Sequence, residues 1–497
     1  MNTKDRTRGN RRSATDTIGA MQQLQIPIQR GAPAPLTTQI SDGLRAAIHD
    51  GRLAPGARLP SWRDFAAQLG VARGTVRLAY ERLIDEGLIV AAGAAGTRVA
   101  QRLPLVPQAA QIAEQNAEQN PEQKAAAMPD DFAAFPRPAS VFQLGVPAHD
   151  AFPAQVWART LARALGTSAK QPLAYPDPRG LAALRAQIAA NLAIARGLAC
   201  QPAQVFVTTG YASALALAVR TLGLVGRSGW MEDPGYPVAR RALGLLGVQV
   251  VPVPVDAEGL DLAAGIARAP HAALAHVTPG QQAPLGVALS PQRRLALLDW
   301  AERSGGWIVE DDYLSELQLQ GRAALALGAA RPDARVLHIG TFSKTLNPSL
   351  RIGFLVVPPA EVARFTQATS LLSPAPAPLV QQALADFMRG GHYLRHLRRM
   401  KRLYASRRDA LIHALNALSA THITAGLAVL LRLPPGVADV PLVQAAQAHD
   451  LSPGALSPWY AQPDPQRMGL LLSVTNLHED RARETCERMM RFIARHG

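Results

Sequence analysis

Cysteine is nearly absent from this 497-residue chain, with Cys200 and Cys486 the only two. With no paired spacing they supply neither a metal site nor a disulfide framework, and a reducing compartment is the expectation. No window approaches the ~18 uninterrupted apolar residues of a membrane span. The first 20 residues, MNTKDRTRGNRRSATDTIGA, hold no apolar stretch of the signal-peptide kind, and nothing hydrophobic follows the Arg11-Arg12 pair. A cytoplasmic protein is expected. Glycine and proline, 39 of each, fall short of low-complexity or collagenous composition, and no fixed-period repeat is found. What remains is globular material, 48% hydrophobic and 18% charged, long enough for two or more cores.

Lys and Arg number 52 against 37 Asp and Glu, a formal net charge of +15. Residues 1–104 hold 15 of the basic and 8 of the acidic side chains, so the excess is several-fold denser there than beyond. A basic excess favours polyanions, which makes this end the candidate contact for double-stranded DNA.

Four segments follow from patterning. Residues 1–33 are polar and basic and read as a disordered arm. Within 34–102, Ile40, Leu44, Ala47 and Ile48 recur at helical spacing, Ser61 caps a second helix carrying Phe65, Ala66 and Leu69, and a third runs from Arg73 to about Glu86. The third is expected to bury Val76, Ala79, Tyr80, Leu83 and Ile84. Leu88 to Val90 and Thr97 to Ala100 flank AAGAAG as a hairpin wing. Residues 103–138, dominated by Ala, Gln, Glu, Asn and Pro, form a flexible linker with too few large apolar groups for a core. From 139 to 497, apolar runs such as QVFVTT, AALAHVTP, GWIVEDD and ARVLHIGTFS alternate with amphipathic helices, which predicts an α/β domain with a mainly parallel sheet.

Helix, turn, helix and wing form a DNA-reading layout, in which the third helix enters the major groove. Arg63, Arg73 and Arg77 can bond phosphates or guanine edges, and Gly74-Thr75 permits close approach to the duplex. The stretch GRLAPGARLPSWRDFAAQLGVARGTVRLAYERLIDEGLIVAAGAAGTRVA resembles the winged helix-turn-helix of the GntR family. That resemblance implies operator contacts by Arg63, Arg73, Gly74, Thr75 and Arg77, with Gly93 or Gly96 as the wing glycine near the minor groove. Trp62 and Ala72 depart from the family, and Ala72 removes a hydroxyl from the N-cap of the recognition helix.

In the larger domain, Lys344 in GTFSKTLNPSLRIG follows an apolar strand, with Thr341, Ser343 and Arg351 close by in sequence. A pyridoxal 5′-phosphate site needs an amine for the aldehyde, a carboxylate for the ring nitrogen, donors for the phosphate and an apolar face. Asp311 at a strand end in GWIVEDDYLSE supplies the carboxylate, and Tyr313 can reach the phenolic oxygen. Glu310 and Asp312 read as solvated or structural. Tyr236 in MEDPGYP can stack on the ring, and Gly210 with the Tyr211 and Ala212 amides opens a helix suited to a phosphate.

Together LAYPDPRG, VTTGYASAL, EDPGYPVARRA, VTPGQQAPLG, EDDYLSE and GTFSKTLNPSLRIG occur in the order and spacing of fold type I aminotransferases. With the upstream winged helix, the chain resembles the MocR subfamily of GntR regulators. The resemblance implies Lys344 as the aldimine lysine, Asp311 as the ring-nitrogen partner, Tyr313 as the phenolate partner and Tyr236 as the stacking residue. It implies Gly210, Tyr211, Ala212, Thr341, Ser343 and Arg351 as the phosphate cradle, and Tyr175 as the tyrosine offered by the neighbouring subunit of a homodimer. Where the subfamily reads Ser, His and an aromatic beside the cofactor, this chain has Gly280, Gln281 and Ala283, with Gln282 retained. The late strand GLLLSVTN carries leucine where aminotransferases place an arginine for the substrate carboxylate, and Arg240 or Arg467 is the candidate replacement.

The resemblance implies a transcriptional regulator whose operator binding is set by pyridoxal phosphate, alone or as its aldimine with an amine or amino acid, and which need not be an enzyme. The alternative is a working aminotransferase carrying a DNA anchor. The basic stretch 389–408 reads as a solvated or subunit-interface face, with a DNA-backbone contact as the other reading. His392 and His396 have no accompanying carboxylate, and no metal site is expected.

Overall fold

The computed structural model describes residues 26–31, 34–93, 96–101, 140–170, 174–319, 321, 323–462 and 464–497. Residues 1–25 of the expected arm and the whole expected linker lie outside the described residues. The chain divides into two compact units, Met1–Phe135 and Pro136–Gly497.

The smaller unit holds α1 (Leu36–His49), α2 (Trp62–Leu69) and α3 (Arg73–Asp85), then β1 (Ile89–Ala91) and β2 (Thr97–Val99) paired antiparallel. Ser61 accepts from the Asp64 amide at the start of α2, and Gly70 ends it at φ 64. Ile40, Leu44, Phe65, Val76, Tyr80 and Leu83 meet in one core. Ile84 does not join them: it is 38% exposed. The α3 stripe through Val76, Ala79, Tyr80 and Leu83 is already closed, and a residue next to Leu83 falls about 100° round the helix. Packing also begins before residue 34, since Ile26 is buried in this core and Gln39 bonds the backbone of Gln29.

The larger unit is built on an eight-stranded sheet ordered β3-β10-β9-β8-β7-β4-β5-β6. The strands are β3 (Val205–Thr208), β4 (Ser228–Asp233), β5 (Gln249–Asp256), β6 (Gly259–Leu260), β7 (Leu274–Val277), β8 (Trp307–Asp312), β9 (Val336–Thr341) and β10 (Gly353–Val356). β4, β5, β7, β8 and β9 run parallel, and β10 lies antiparallel between β9 and β3. Strands β3, β7 and β10 are buried along their whole length, as expected where helices cover both faces. Burying each Val, Leu or Ile in them contributes about 1.5–3 kcal/mol before entropy is counted.

A second, antiparallel sheet comprises β11 (His422–Ala425), β12 (Ala428–Arg432), β13 (Gly454–Ala455) and β14 (Gly469–Ser473). Among the described residues no helix is long and apolar enough to cross a membrane.

Candidate cofactor site and nucleic-acid interface

Parallel strands finish on one edge of a sheet, so the segments after β3, β4, β7, β8 and β9 converge there. Beyond β9, Phe342 and Leu346 bury their side chains, and the Leu346 amide bonds the Phe342 carbonyl at 2.9 Å. This turn holds Lys344, whose Nζ donates to the Gly145 carbonyl at 2.8 Å. Gly145 has φ +76, and a Cβ there would stand 2.6 Å from Nζ. Burial lowers the Lys344 amine to about 8, with Asp311 pulling the other way. A lowered amine keeps more of its nucleophilic, neutral form near neutrality.

Asp311, near the end of β8, is 6% exposed. Burial raises its carboxyl well above the ordinary range, Asp312 and Glu232 add to that, and Lys344 opposes it. His276 on β7 places Nε2 3.8 Å from Asp311 Oδ2 and 2.6 Å from the Tyr211 hydroxyl. Burial holds His276 down at about 4, while the Tyr211 phenol is raised, chiefly by burial. Both are neutral and share one hydrogen bond through Nε2, while Nδ1 has no partner.

At the other end, Gly210 caps a helix, α4 (Tyr211–Thr221), at φ +126. A Cβ on Gly210 would lie 3.3 Å from the Arg351 guanidinium. The helix ladder begins with Ala214 N to Gly210 O at 3.1 Å, so the Tyr211 and Ala212 amides precede it. Thr341 and Ser343 add hydroxyls, and the Ser343 amide bonds Thr341 Oγ1 at 3.1 Å. Amides, hydroxyls and a guanidinium at a helix N-terminus suit a phosphate.

Between these ends, Tyr236 meets Tyr211 edge-on at 6.1 Å and Trp459 at 5.8 Å between ring centroids. Burial, then Asp311, pushes the Tyr236 phenol up to about 12. Tyr313 is raised too, by burial first, and hydrogen-bonds Gln281.

Two expected residues lie apart from this group. Tyr175 is fully exposed. Gln282 is buried, but its Nε2 donates to the Pro234 and Ala283 carbonyls, both at 2.7 Å. Its neighbour Gln281 is the one that reaches Tyr313. Gly145, His276 and Glu232 were not foreseen, whereas Gln281 stands at a position the resemblance places beside the cofactor. His276 sits in an apolar strand with no motif to mark it, and Gly145 is brought in by tertiary folding alone. Glu232 accepts from Thr278 N at 3.1 Å and Thr278 Oγ1 at 2.5 Å, and burial raises it to about 7. Glu310 and Asp312 are structural rather than solvated: Arg196 Nε bonds Asp312 at 2.6 Å, and His338 Nδ1 lies 3.1 Å from Glu310.

Neither candidate replacement for the carboxylate arginine is free. Arg240 donates to the Tyr460, Pro458, Trp459 and Gly235 carbonyls. Arg467 bonds Asp464 at 3.1 Å and lies over the Tyr460 ring at 5.0 Å. His392 bonds Arg395, and His396 Nε2 meets the Thr345 carbonyl at 3.0 Å. Both lie on a long helix, α5 (His392–Ala417), whose Arg395, Arg398, Arg399 and Arg402 are exposed.

In the smaller unit, Arg63, Arg73, Gly74 and Arg77 are exposed and Thr75 is half-buried. Arg73 and Arg77, four apart, share one face of α3. Ala72 caps α3 without a side-chain bond, as its methyl requires. Gly93 and Gly96 have φ of 54 and 83 at the wing turn.

Comparison with known proteins agrees with this division. The aminotransferase class I and II family matches residues 140–450, and the gntR family of bacterial regulatory proteins matches 36–99. The chain is 36% identical over 456 residues to the probable rhizopine catabolism regulatory protein MocR of Rhizobium meliloti, covering 90% of this chain and 91% of that protein. It is 34% identical over 402 residues to the pyridoxine biosynthesis transcriptional regulator PdxR of Corynebacterium glutamicum, covering 80% and 83%. Among solved structures, the α-aminoadipate aminotransferase LysN of Thermus thermophilus, complexed with N-(5′-phosphopyridoxyl)-L-leucine, aligns with a TM-score of 0.63. It is 27% identical, covering 71% of this chain and 91% of that one.

Proposed function

Because the chain belongs to the MocR-type regulators, with a gntR-family head and an aminotransferase class I and II body, and is a DNA-binding transcriptional regulator that uses pyridoxal 5′-phosphate, we propose that this cofactor sets its affinity for operator DNA. The residues present fit the group: a lysine with a lowered pKa, a buried carboxyl, an aromatic face and an anion cradle are on one edge of the sheet. The observation that carries the reading is Lys344, half-buried, held by Gly145 and lowered to about 8.

When bound, the cofactor supplies an aldehyde that condenses with amines and a ring that draws electrons from the new bond. Lys344 offers the amine nitrogen. Asp311 would pair with the ring nitrogen and favour its protonated form, with His276 Nε2 3.8 Å from that carboxyl. Tyr313 would donate to the phenolic oxygen, and Tyr236 would supply an aromatic face for the ring. Gly210, Tyr211, Ala212, Thr341, Ser343 and Arg351 hold the phosphate. Gln282 fixes the 278–286 loop rather than the ligand, and Tyr175 completes the site of a second copy in a homodimer.

In the head, Arg63, Arg73, Gly74, Thr75 and Arg77 meet the major groove, and Gly93 and Gly96 bring the wing to the minor groove. Two heads related by a two-fold axis would read two half-sites, which supports the dimer. The effector is the cofactor itself or an amine or amino acid that joins it, acting by favouring one arrangement of the dimer.

The test is chemical. Protein incubated with pyridoxal phosphate and reduced with borohydride should carry the phosphopyridoxyl mass on the peptide containing Lys344. No adduct, or one on another lysine, would refute the site.

A further inference from the structure

What else the Lys344 pocket admits follows from its walls, on the premise that the cofactor binds there as proposed above. Leu144 precedes the Gly145 that holds Lys344, and its side chain lies against Gly454, where a Cβ would overlap it. Leu430, Leu456 and Leu471 are buried together, and Leu144, Trp459 and Tyr460 pack on them. Trp459 in turn stands 5.8 Å from the ring of Tyr236. An apolar and aromatic wall therefore runs from the lysine to the tyrosine proposed to cover the cofactor.

Among the described residues, three arginines near this wall are engaged or displaced from it. Arg240 is bound to backbone carbonyls and stands 3.8 Å from Asp233, and Arg467 is held by Asp464. Arg432 is exposed opposite Gly469, two positions along the ladder from the Leu430–Leu471 pair. The carboxyls of Glu232, Asp233 and Asp311 occupy the neighbouring strand ends. A ligand carboxylate set against the wall would surrender its water for leucine and tryptophan with no free cation to meet it among those named.

We propose that the pocket takes a primary amine that has an apolar or aromatic body and no carboxylate on the amine-bearing carbon, and that this class of amine is the effector. The amine nitrogen bonds the aldehyde carbon in place of Lys344 Nζ. The two protons it gives up end on the released lysine amine, so no oxidant or further reactant is needed. The body of the ligand then covers Leu144 and Trp459, and the exchange frees the Lys344 turn.

The experiment uses the full-length protein loaded with pyridoxal phosphate and follows its visible absorbance during titration with 2-phenylethylamine or L-phenylalanine, which differ by the carboxylate alone. Each half-saturating concentration is referenced to the same amine with free cofactor. The amine should bind at least about ten-fold more tightly than the amino acid, the scale of one lost charge-assisted contact. Leu144→Arg, on a half-buried loop, should narrow or reverse that preference, and Leu144→Met should keep it. Equal or tighter binding of phenylalanine, or a cofactor band that neither compound changes, overturns the proposal and leaves cofactor binding standing. Absence of any Lys344-dependent band overturns both.

Discussion

The Nζ of Lys344 and the carbonyl of Gly145 stand 2.8 Å apart although 199 positions separate them in the chain. Gly145 adopts φ +76, and a methyl there would reach the amine at 2.6 Å. Gly145→Ala is therefore expected to cost about 1–3 kcal/mol through backbone strain and to displace the amine. Cofactor affinity, read by visible absorbance titration, should fall about ten-fold or more. Unchanged affinity would mean that this contact does not position the lysine.

Lys344 also sets a pH dependence. Its folded pKa of about 8 lies below the usual 10.5, so the unfolded chain binds more protons between those values. Apoprotein stability from this group therefore rises with pH through that window, and the penalty is full below about 8. Lys344→Met should raise the apoprotein melting temperature near neutrality, with the gap closing as the pH climbs toward 10.5. Over the same approach to about 8, the wild-type rate of cofactor capture should increase as the neutral amine grows.

Glu232 behaves oppositely. Burial raises its carboxyl from 4.5 to about 7, so the folded state holds the extra proton in that interval and stability falls as pH rises through it. Glu232→Gln should flatten this part of the stability curve, measured by urea unfolding of apoprotein across the interval. An identical slope in the two proteins would remove Glu232 as its cause.

On the head, Arg73→Ala and Arg77→Ala should weaken operator binding. Each replacement of a phosphate contact should reduce the slope of log K against log salt by about 0.9. If either arginine reads a guanine instead, specificity at one base pair should relax at a cost of about 1–3 kcal/mol. Within α3, Leu83→Ala should cost about 2–5 kcal/mol, whereas exposed Ile84→Lys should stay within about 0.5 kcal/mol, by thermal unfolding.

Local chemistry made much of this readable beforehand. The Ser61 cap, the paired wing strands and the apolar runs GWIVEDD and ARVLHIGTFS are set by neighbours in sequence, and a cap, a hairpin and two strands are found within those stretches. Ile84 was not, because a single apolar residue beside a complete stripe gives no sign of which side it faces. Gln281 and Gln282 are indistinguishable as letters; only the turn at Pro284 decides which amide is used up by Pro234 and Ala283 and which reaches Tyr313. Gly145 and His276 acquire their neighbours from distant strands, and neither stands in a pattern that sequence could have flagged.

Binding of fluorescent operator DNA from the protein's own upstream region, followed by anisotropy with and without pyridoxal phosphate, tests the central claim most directly. Wild-type protein should change its affinity several-fold when the cofactor is added, and Lys344→Ala should bind the DNA but not respond. Equal affinity in both conditions for wild type, or an undiminished response in Lys344→Ala, would contradict control of the head through this lysine.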